Sequence, residues 1–371
     1  LVAIAVISLS LMGCAYKDAK LNLFLGLAAL LVLSVLVTWD MPLFVDIRPV
    51  LVVGNLPSGL EHGPAIPPQL MAFVSTSIIF SVLFGVGSFV GSRNVQHPAF
   101  WTSVSAAIPL LVLINAYGKI LKFDAHIGWA IASLALAGVY VFATSYVSRS
   151  KPERDVSGEM ASYAVAAVGA LVLALTMSLR EAWLSVAISL LVPGIAIIYQ
   201  QLKLPALRDI TSILAGIVIA RLALNSNIFD YAIGDIPGIN WMLYAYGISA
   251  IAFYWSARKY REDIDDRVVG ILEAGALIFA VLLVSLEIRH FVNDGPIDVR
   301  GYSLFEQSLQ SLAWLAGAYG LYKQNANRAG IVQTWGFSLL GGLATVQIIV
   351  LQILLFNPLK TGVSVWETPV L

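Results

Sequence analysis

Apolar residues run along this chain in long stretches, separated by short polar connections. A helix needs about 20 apolar residues to cross a bilayer core of roughly 30 Å. Stretches of that kind lie at 1–16, 21–39, 70–91, 100–121, 125–148, 160–179, 182–200, 209–228, 238–257, 268–291, 304–323 and 329–356. Strands of a membrane β-barrel would be about 10 residues long with strict alternation. The pattern therefore predicts an all-α, polytopic transmembrane helical bundle of about twelve spans.

The composition supports a membrane protein and excludes several other classes. Of the 371 residues, 59% are hydrophobic and 12% are charged, and the mean hydropathy is +0.84. Soluble domains carry roughly 25% charged residues, so an ordinary soluble enzyme or a disordered protein is excluded. Lys+Arg and Asp+Glu are both 22, and a chain without a basic surplus is not expected to bind nucleic acid. The expected partner is the lipid bilayer.

Basic residues are unequally shared between the two sets of connections, which predicts an orientation. Fourteen lie on one side, including those of 149–159 and 256–267, and seven lie on the other, including Arg48 and Arg180. Cytoplasmic loops carry the excess of Lys and Arg. Both ends of the chain, and the proline-rich connection 40–69, are therefore predicted to lie outside.

The connections also suggest a division of the chain. Residues 1–148 would form a first sub-bundle of about five transmembrane helices, and 149–159 a cytoplasmic linker. Residues 160–371 would form a second sub-bundle of about seven. Because the chain begins and ends within its pattern, we expect it to be a piece of a longer protein. A lipoprotein signal ending at Cys14 is the alternative interpretation of the start.

Motifs of known chemistry are not found in the sequence. It has no glycine-rich phosphate loop, no metalloprotease His-Glu-x-x-His and no nucleophile elbow. The single cysteine excludes a disulfide framework, and the four histidines lack partners at metal-ligand spacing. No cofactor or metal is predicted, and the sequence leaves open whether the protein is an enzyme.

Ionisable residues inside apolar stretches are the informative feature, because a charge at the bilayer centre costs roughly 2.5–3.5 kcal/mol. Arg221 lies about twelve residues into its span and needs a partner. Glu287 is the first choice, with Glu273 as a rival. Glu287 and His290 are three residues apart and share a helix face, while Arg289 is expected to point elsewhere.

These residues predict one polar pocket that opens outward. It would be lined by Arg180, Glu181, Arg221, Asn225, Glu287, His290, Glu306 and Gln310. The alternative interpretation is that the same charges form interhelical ion pairs that fix helix register and insertion.

The second half of the chain resembles a known family. The order of short motifs carries the resemblance: Arg180-Glu-Ala-Trp183, Ala220-Arg-Leu-Ala-Leu-Asn225, Asn240-Trp241, Ser285-Leu-Glu-Ile-Arg-His290, Gln310-x-x-Ala-Trp314 and Asn357-Pro-Leu-Lys-Thr-Gly362. From about residue 180 onward, this order is similar to the bacterial predicted-membrane-protein family called domain of unknown function 2339. The resemblance implies a long multi-pass protein of the bacterial inner membrane, and it implies no reaction.

Three functions remain open on the sequence. The first is a transporter-like module that uses the outward pocket. The second is a structural or assembly scaffold of the cell envelope. The third is an envelope enzyme that acts on a lipid-linked substrate, with Glu287, His290 or Glu306 as acid or base.

Overall fold

The computed structural model describes most of the chain. The described residues are 2–39, 68–150, 156–179, 181–224, 240–293, 297, 302–327, 330–355, 357, 359, 362 and 369–370. The connection 40–69 lies outside them except for its last two residues, which begin a helix.

Twelve α-helices make up the described part of the chain. They are α1 Val2–Lys17, α2 Asn22–Thr38, α3 Pro68–Gly91, α4 Pro98–Leu121, α5 Ile127–Ser150, α6 Ser157–Ser178, α7 Glu181–Leu202, α8 Pro205–Ala223, α9 Ser249–Arg261, α10 Arg267–Val292, α11 Leu304–Asn327 and α12 Ile331–Val346. Each corresponds to one apolar stretch of the sequence, so the all-α polytopic bundle is confirmed.

Seven of these helices are long and apolar enough to cross a membrane by length and composition: α3, α4, α5, α6, α7, α10 and α12. The other five helices are shorter or more polar. The helices α1, α2 and α9 have 16, 17 and 13 residues. Three charged residues lie in α8, and polar residues interrupt α11.

The described part of the chain also contains a 3₁₀ turn at Ala19–Leu21, two wider helical segments and one short ladder. A π-helix at Leu243–Ile248 leads into α9, and a second at Gln347–Leu355 continues α12. Tyr302–Ser303 (β1) pairs antiparallel with Pro369–Val370 (β2). π-helical turns are rare and occur frequently at functional sites.

The first compact unit covers residues 1–179 and contains α1 to α6. Its core includes Leu25, Phe73 and Phe84, all fully buried. Hydrogen bonds join several of its polar side chains to a neighbouring helix. Trp101 Nε1 donates to Asn22 Oδ1 at 3.1 Å, for example, and this bond joins α4 to α2.

The second compact unit covers residues 180–371 and contains α7 to α12. Phe253 and Phe279 pack edge to face in its core, with ring centroids 5.1 Å apart. Buried hydroxyls tie the helices together, as between Ser189 on α7 and Ser249 on α9, whose oxygens are 2.8 Å apart.

The division of the chain at 149–159 stays a prediction. Helix packing shows which compact unit contains α6. Helix α6 makes extensive contacts with α5 and α4. The compact units accordingly divide near 179–180, and α6 belongs to the first unit.

Candidate functional site

The predicted pocket residues are only partly described. Arg180 and Asn225 lie outside the described residues, and Glu181 begins α7 with its side chain also outside them. Arg221, in the last turn of α8, donates a hydrogen bond from Nε to Ser185 Oγ at 3.0 Å. This contact joins α8 to α7.

The sequence predicts two possible partners for Arg221, which are Glu287 and Glu273. The pairing of Arg221 with Glu287 stays a prediction. The rival carboxylate, Glu273, forms an ion pair with Arg261 and accepts a hydrogen bond from Gln333 Nε2 at 3.3 Å. Glu273 therefore belongs to a different polar group, near the beginning of α10.

A buried ion pair between α10 and α11 lies at the centre of the candidate site. Arg289 Nη1 is 3.1 Å from Glu306 Oε1, and these side chains are 9% and 0% exposed. Arg289 Nε also donates to the carbonyl of Ile297 at 2.6 Å. The sequence analysis set Arg289 apart from the face of Glu287 and His290 and left it out of the pocket, but the structure pairs it with the pocket residue Glu306. Its long side chain is held between the carboxylate and the backbone that follows α10.

Four polar residues form what we call the α11 stripe: Glu306, Gln307, Gln310 and Ser311. They are 0%, 4%, 9% and 2% exposed. Their spacing of i, i+1, i+4 and i+5 places them on one face of the helix. Gln310 Nε2 donates to Glu306 Oε1 at 3.3 Å, so the amide and the ion pair form one group. A buried polar face of this kind is costly in a membrane helix and marks a candidate site.

The π-helical continuation of α12 contributes two more amides. Gln352 Nε2 donates to Ser311 Oγ at 3.0 Å, and Gln347 Nε2 donates to the carbonyl of Gln307 at 3.4 Å. Residues five apart are well separated around an α-helix, which has 3.6 residues per turn. The wider π turn, closed by i→i+5 hydrogen bonds, brings both glutamines towards the α11 stripe.

Several polar atoms in this region are buried without a hydrogen-bond partner in the described part of the chain. They are Glu306 Oε2, Gln307 Oε1, Gln347 Oε1 and both ring nitrogens of His290, a residue that is 1% exposed. Leaving such groups unsatisfied costs about 1–3 kcal/mol each. Three of the five atoms are oxygens that only accept hydrogen bonds. The site is therefore suited to a ligand that donates them.

A small cleft lies beside the beginning of α11. It has a volume of about 380 Å³ and is lined by Phe291, Val292, Asn293, Ser303 and Phe305. Ser303 Oγ accepts a hydrogen bond from the Glu306 backbone N–H at 3.1 Å. The cleft is thus next to the end of the α11 stripe.

A second polar cluster lies at the opposite end of α10 and ties four helices together. Arg208 of α8 binds Asp266 through two nitrogens, at 2.6 and 3.1 Å. Its guanidinium lies over the rings of Tyr199 and Tyr260, 5.0 and 5.1 Å from their centroids. Arg208 Nη1 has no hydrogen-bond partner in the described part of the chain and lies 3.9 Å from Asp263 Oδ2. The other contacts of the guanidinium and of both rings lie within the cluster and join helices, so we assign it a structural role.

A comparison with known families agrees with this all-helical architecture of a membrane protein. The family model for predicted membrane proteins of domain of unknown function 2339 (DUF2339) matches residues 1–371. The chain belongs to the DUF2339 family. The match extends the expected resemblance from the second half to the first half as well. No curated protein and no solved structure matches the chain.

The DUF2339 chain is therefore a multi-pass membrane protein in a lipid bilayer. No group of three or more His, Cys, Asp or Glu side chains able to hold a metal ion occurs within its described residues. Of the predicted pocket, His290, Glu306 and Gln310 lie in the buried region at one end of α10 and α11. The sequence analysis missed Gln307, Ser311, Gln347 and Gln352. For Gln307 and Ser311, the i,i+4 spacing of polar residues on α11 was the only sequence pattern that could have identified them.

Proposed function

We propose that this DUF2339 protein is a transporter-like module whose solute site is the α11 stripe with Arg289, His290 and the two π-helical glutamines. The observation that carries the proposal is the set of deeply buried oxygen acceptors that lack donors within the described residues. An ion pair that served only to join two helices would not need two further amides and a hydroxyl on the same face.

The charge of the site indicates the class of solute. Arg289 and Glu306 neutralise each other, and the remaining groups of the α11 stripe are uncharged amides and a hydroxyl. A small, uncharged solute with several hydrogen-bond donors fits such a site better than an ion does, because a buried ion needs an opposite charge.

We also propose where the site faces. The distribution of basic residues places the end of α10 that carries Arg289 on the outside. The cleft lined by Asn293 and Ser303 would then open outward, as the predicted pocket does. In a bacterium this arrangement corresponds to a site on the outer side of the inner membrane.

A scaffold remains the second candidate, favoured by the ion pair and the two hydrogen bonds between Arg208 and Asp266. That cluster shows that ion pairs in this chain also serve to hold helices together. The two candidates differ in whether solutes cross the membrane through the protein.

The test is solute entry into liposomes that contain the purified full chain. Swelling is followed by light scattering after mixing with glycerol, urea or a pentose. We expect at least one solute to enter faster than into protein-free liposomes, and Gln310→Leu to remove the difference. Gln201→Leu, the same change at an exposed position of α7, should leave it unchanged. Equal rates with and without protein would favour the scaffold.

A further inference from the structure

A cleft at the beginning of α10 has a chemistry that the proposed solute site does not use. It has a volume of about 1180 Å³ and runs between α10 and α12. Its walls are apolar, with Ile271, Leu277, Trp335 and Leu339 among the lining residues. Trp335 and Leu339 are 66% and 60% exposed. The apolar window of α12 is also the least buried of the seven candidate spans, so this wall is open to lipid.

The cleft is polar at one end. Arg261, Asp265, Arg267 and Glu273 line it there, close to the point where α10 begins. A second cleft of about 440 Å³ adjoins it, and the two share Glu273, Leu277, Val332 and Gln333. Two adjoining apolar channels that meet a charged rim match the shape of a molecule with two acyl chains and one polar headgroup.

Among the described residues of the rim, Arg267 is available for a ligand. Each carboxylate of the rim and the preceding turn already has a cation: Glu262 has Lys259, Asp263 has Lys203, Asp265 and Glu273 have Arg261, and Asp266 has Arg208. Arg267 forms no ion pair with any carboxylate in the described part of the chain, and it is exposed. Its planar guanidinium suits bidentate binding of a phosphate.

We propose that this cleft binds one phospholipid, with its phosphate on Arg267 and its acyl chains in the two adjoining channels. Arg261 lies beside Asp265 and Glu273, and Arg208 binds Asp266, so two of the three negative charges are offset and the repulsion of the headgroup is reduced. The site lies at the end of α10 remote from Arg289, and the proposal stands or falls independently of solute transport.

One glycine allows the acyl part of the site to be tested separately from the phosphate part. Gly270 lines the cleft, and no other atom lies within 4 Å of the position that its Cβ would take. Gly270→Leu should therefore fold and fill the channel. Gly138→Leu on α5 is the matched control, because its Cβ would also meet nothing within 4 Å.

The experiment titrates the full chain, purified in detergent, with phosphatidylglycerol and counts bound lipid by native mass spectrometry. We expect one tightly bound lipid. Arg267→Gln should weaken it about fivefold, the effect of one basic residue near a lipid phosphate. Gly270→Leu should weaken it at least as much. Arg149→Gln, an exposed arginine at the end of α5, and Gly138→Leu should bind as the wild type does.

Two further ligands separate the sources of binding. Diacylglycerol with the same chains lacks the phosphate, and inorganic phosphate lacks the chains, so neither should occupy the site. Unchanged binding in Arg267→Gln, or diacylglycerol binding as tightly as phosphatidylglycerol, would overturn the proposal. Circular dichroism checks that each variant folds. If Gly270→Leu does not fold, the exposed Arg267→Gln variant decides the result alone.

Discussion

Arg289 of α10 and Glu306 of α11 form a buried ion pair, with Nη1 and Oε1 3.1 Å apart. Their side chains are 9% and 0% exposed, so both charges are buried. Both are shielded further by hydrogen bonds, from Arg289 to the Ile297 carbonyl and from Gln310 to Glu306. This pair fixes the α11 stripe against α10 and places its amides inside the second unit.

Removal of one member of this pair should destabilise the protein strongly, because the other charge stays buried without a counter-charge. We expect Arg289→Ala or Glu306→Ala to lower the free energy of unfolding by about 3–5 kcal/mol. The double change Arg289→Met with Glu306→Leu should cost much less than either single change. Arg149→Ala, at an exposed site, should stay within about 0.5 kcal/mol of the wild type. Reversible unfolding in detergent measures these differences. A double variant as unstable as the single ones would contradict the pairing.

The acid sensitivity of the protein should come partly from the turn between α9 and α10. Hydrogen bonds from Lys203 and Tyr199 lower the pKa of Asp263. For Asp266, burial acts to raise the pKa, but the hydrogen bond and charge of Arg208 outweigh burial and lower it. A lowered pKa in the folded state means that this stabilisation is complete above about pH 4 and is lost as the pH falls further.

Thermal unfolding between pH 3 and pH 7 checks this expectation. Above pH 5 the melting temperature should not depend on the protonation of Asp263. At pH values below 4 the melting temperature should decrease. Asp263→Asn should lower the melting temperature at pH 7 and make the remaining acid-induced fall smaller. Asp209→Asn, an exposed position on α8, is the control. An identical acid-induced decrease of the melting temperature in the wild type and in Asp263→Asn would show that Asp263 does not contribute to the acid sensitivity.

Close approach of α9 and α10 depends on a glycine. A Cβ at Gly275 would lie 2.7 Å from Phe253 Cδ1 and 3.0 Å from Ile219 Cδ1. Overpacking of a filled core typically costs about 1–3 kcal/mol, so Gly275→Ala should destabilise the second unit. At Gly216 a Cβ would meet nothing within 4 Å. There the same change should be neutral or stabilise the helix by up to about 1 kcal/mol. Equal effects at the two sites would contradict this packing.

The predicted orientation has a direct chemical test. In a background where Cys14 is replaced by alanine, single cysteines are placed at Ser157, at the beginning of α6, and at Ser58, in the connection 40–69. A membrane-impermeant thiol reagent added to intact cells should label Ser58→Cys and not Ser157→Cys. The reverse pattern would mean that the basic side faces outward.

Much of the helical architecture follows from hydrophobicity alone, because long apolar stretches have few alternatives in a membrane. All twelve predicted stretches coincide with helices. One difference concerns α8, which begins at Pro205 rather than 209. Proline is favoured in the first turn of a helix, and Arg208 fits there because Asp266 binds it. The partner of a charge depends on tertiary packing, and that is why the sequence put Arg208 in a connection.

The candidate site was less predictable from the sequence, again because the partner of a polar side chain depends on tertiary packing. Counting positions along a helix left Arg289 out of the pocket that contains Glu306, yet a long flexible side chain is directed by what surrounds it. The contribution of Gln347 and Gln352 depends on a π turn, and the α-helical period of 3.6 residues gives no sign of it. Local periodicity therefore identified Glu306 and Gln310, but it missed the helix that faces them.

The most direct test of the solute site is whether water-soluble reagents reach Ser311. In the Cys14→Ala background, Ser311→Cys is compared with Ser249→Cys in membranes. Both serines are almost fully buried in the second unit and are hydrogen-bonded to another side chain. The account predicts that a small, charged thiol reagent modifies Ser311→Cys at least tenfold faster than Ser249→Cys, since a transporter must open its site to water. Equal resistance of both cysteines would contradict a solute site and leave Arg289 and Glu306 as a structural ion pair.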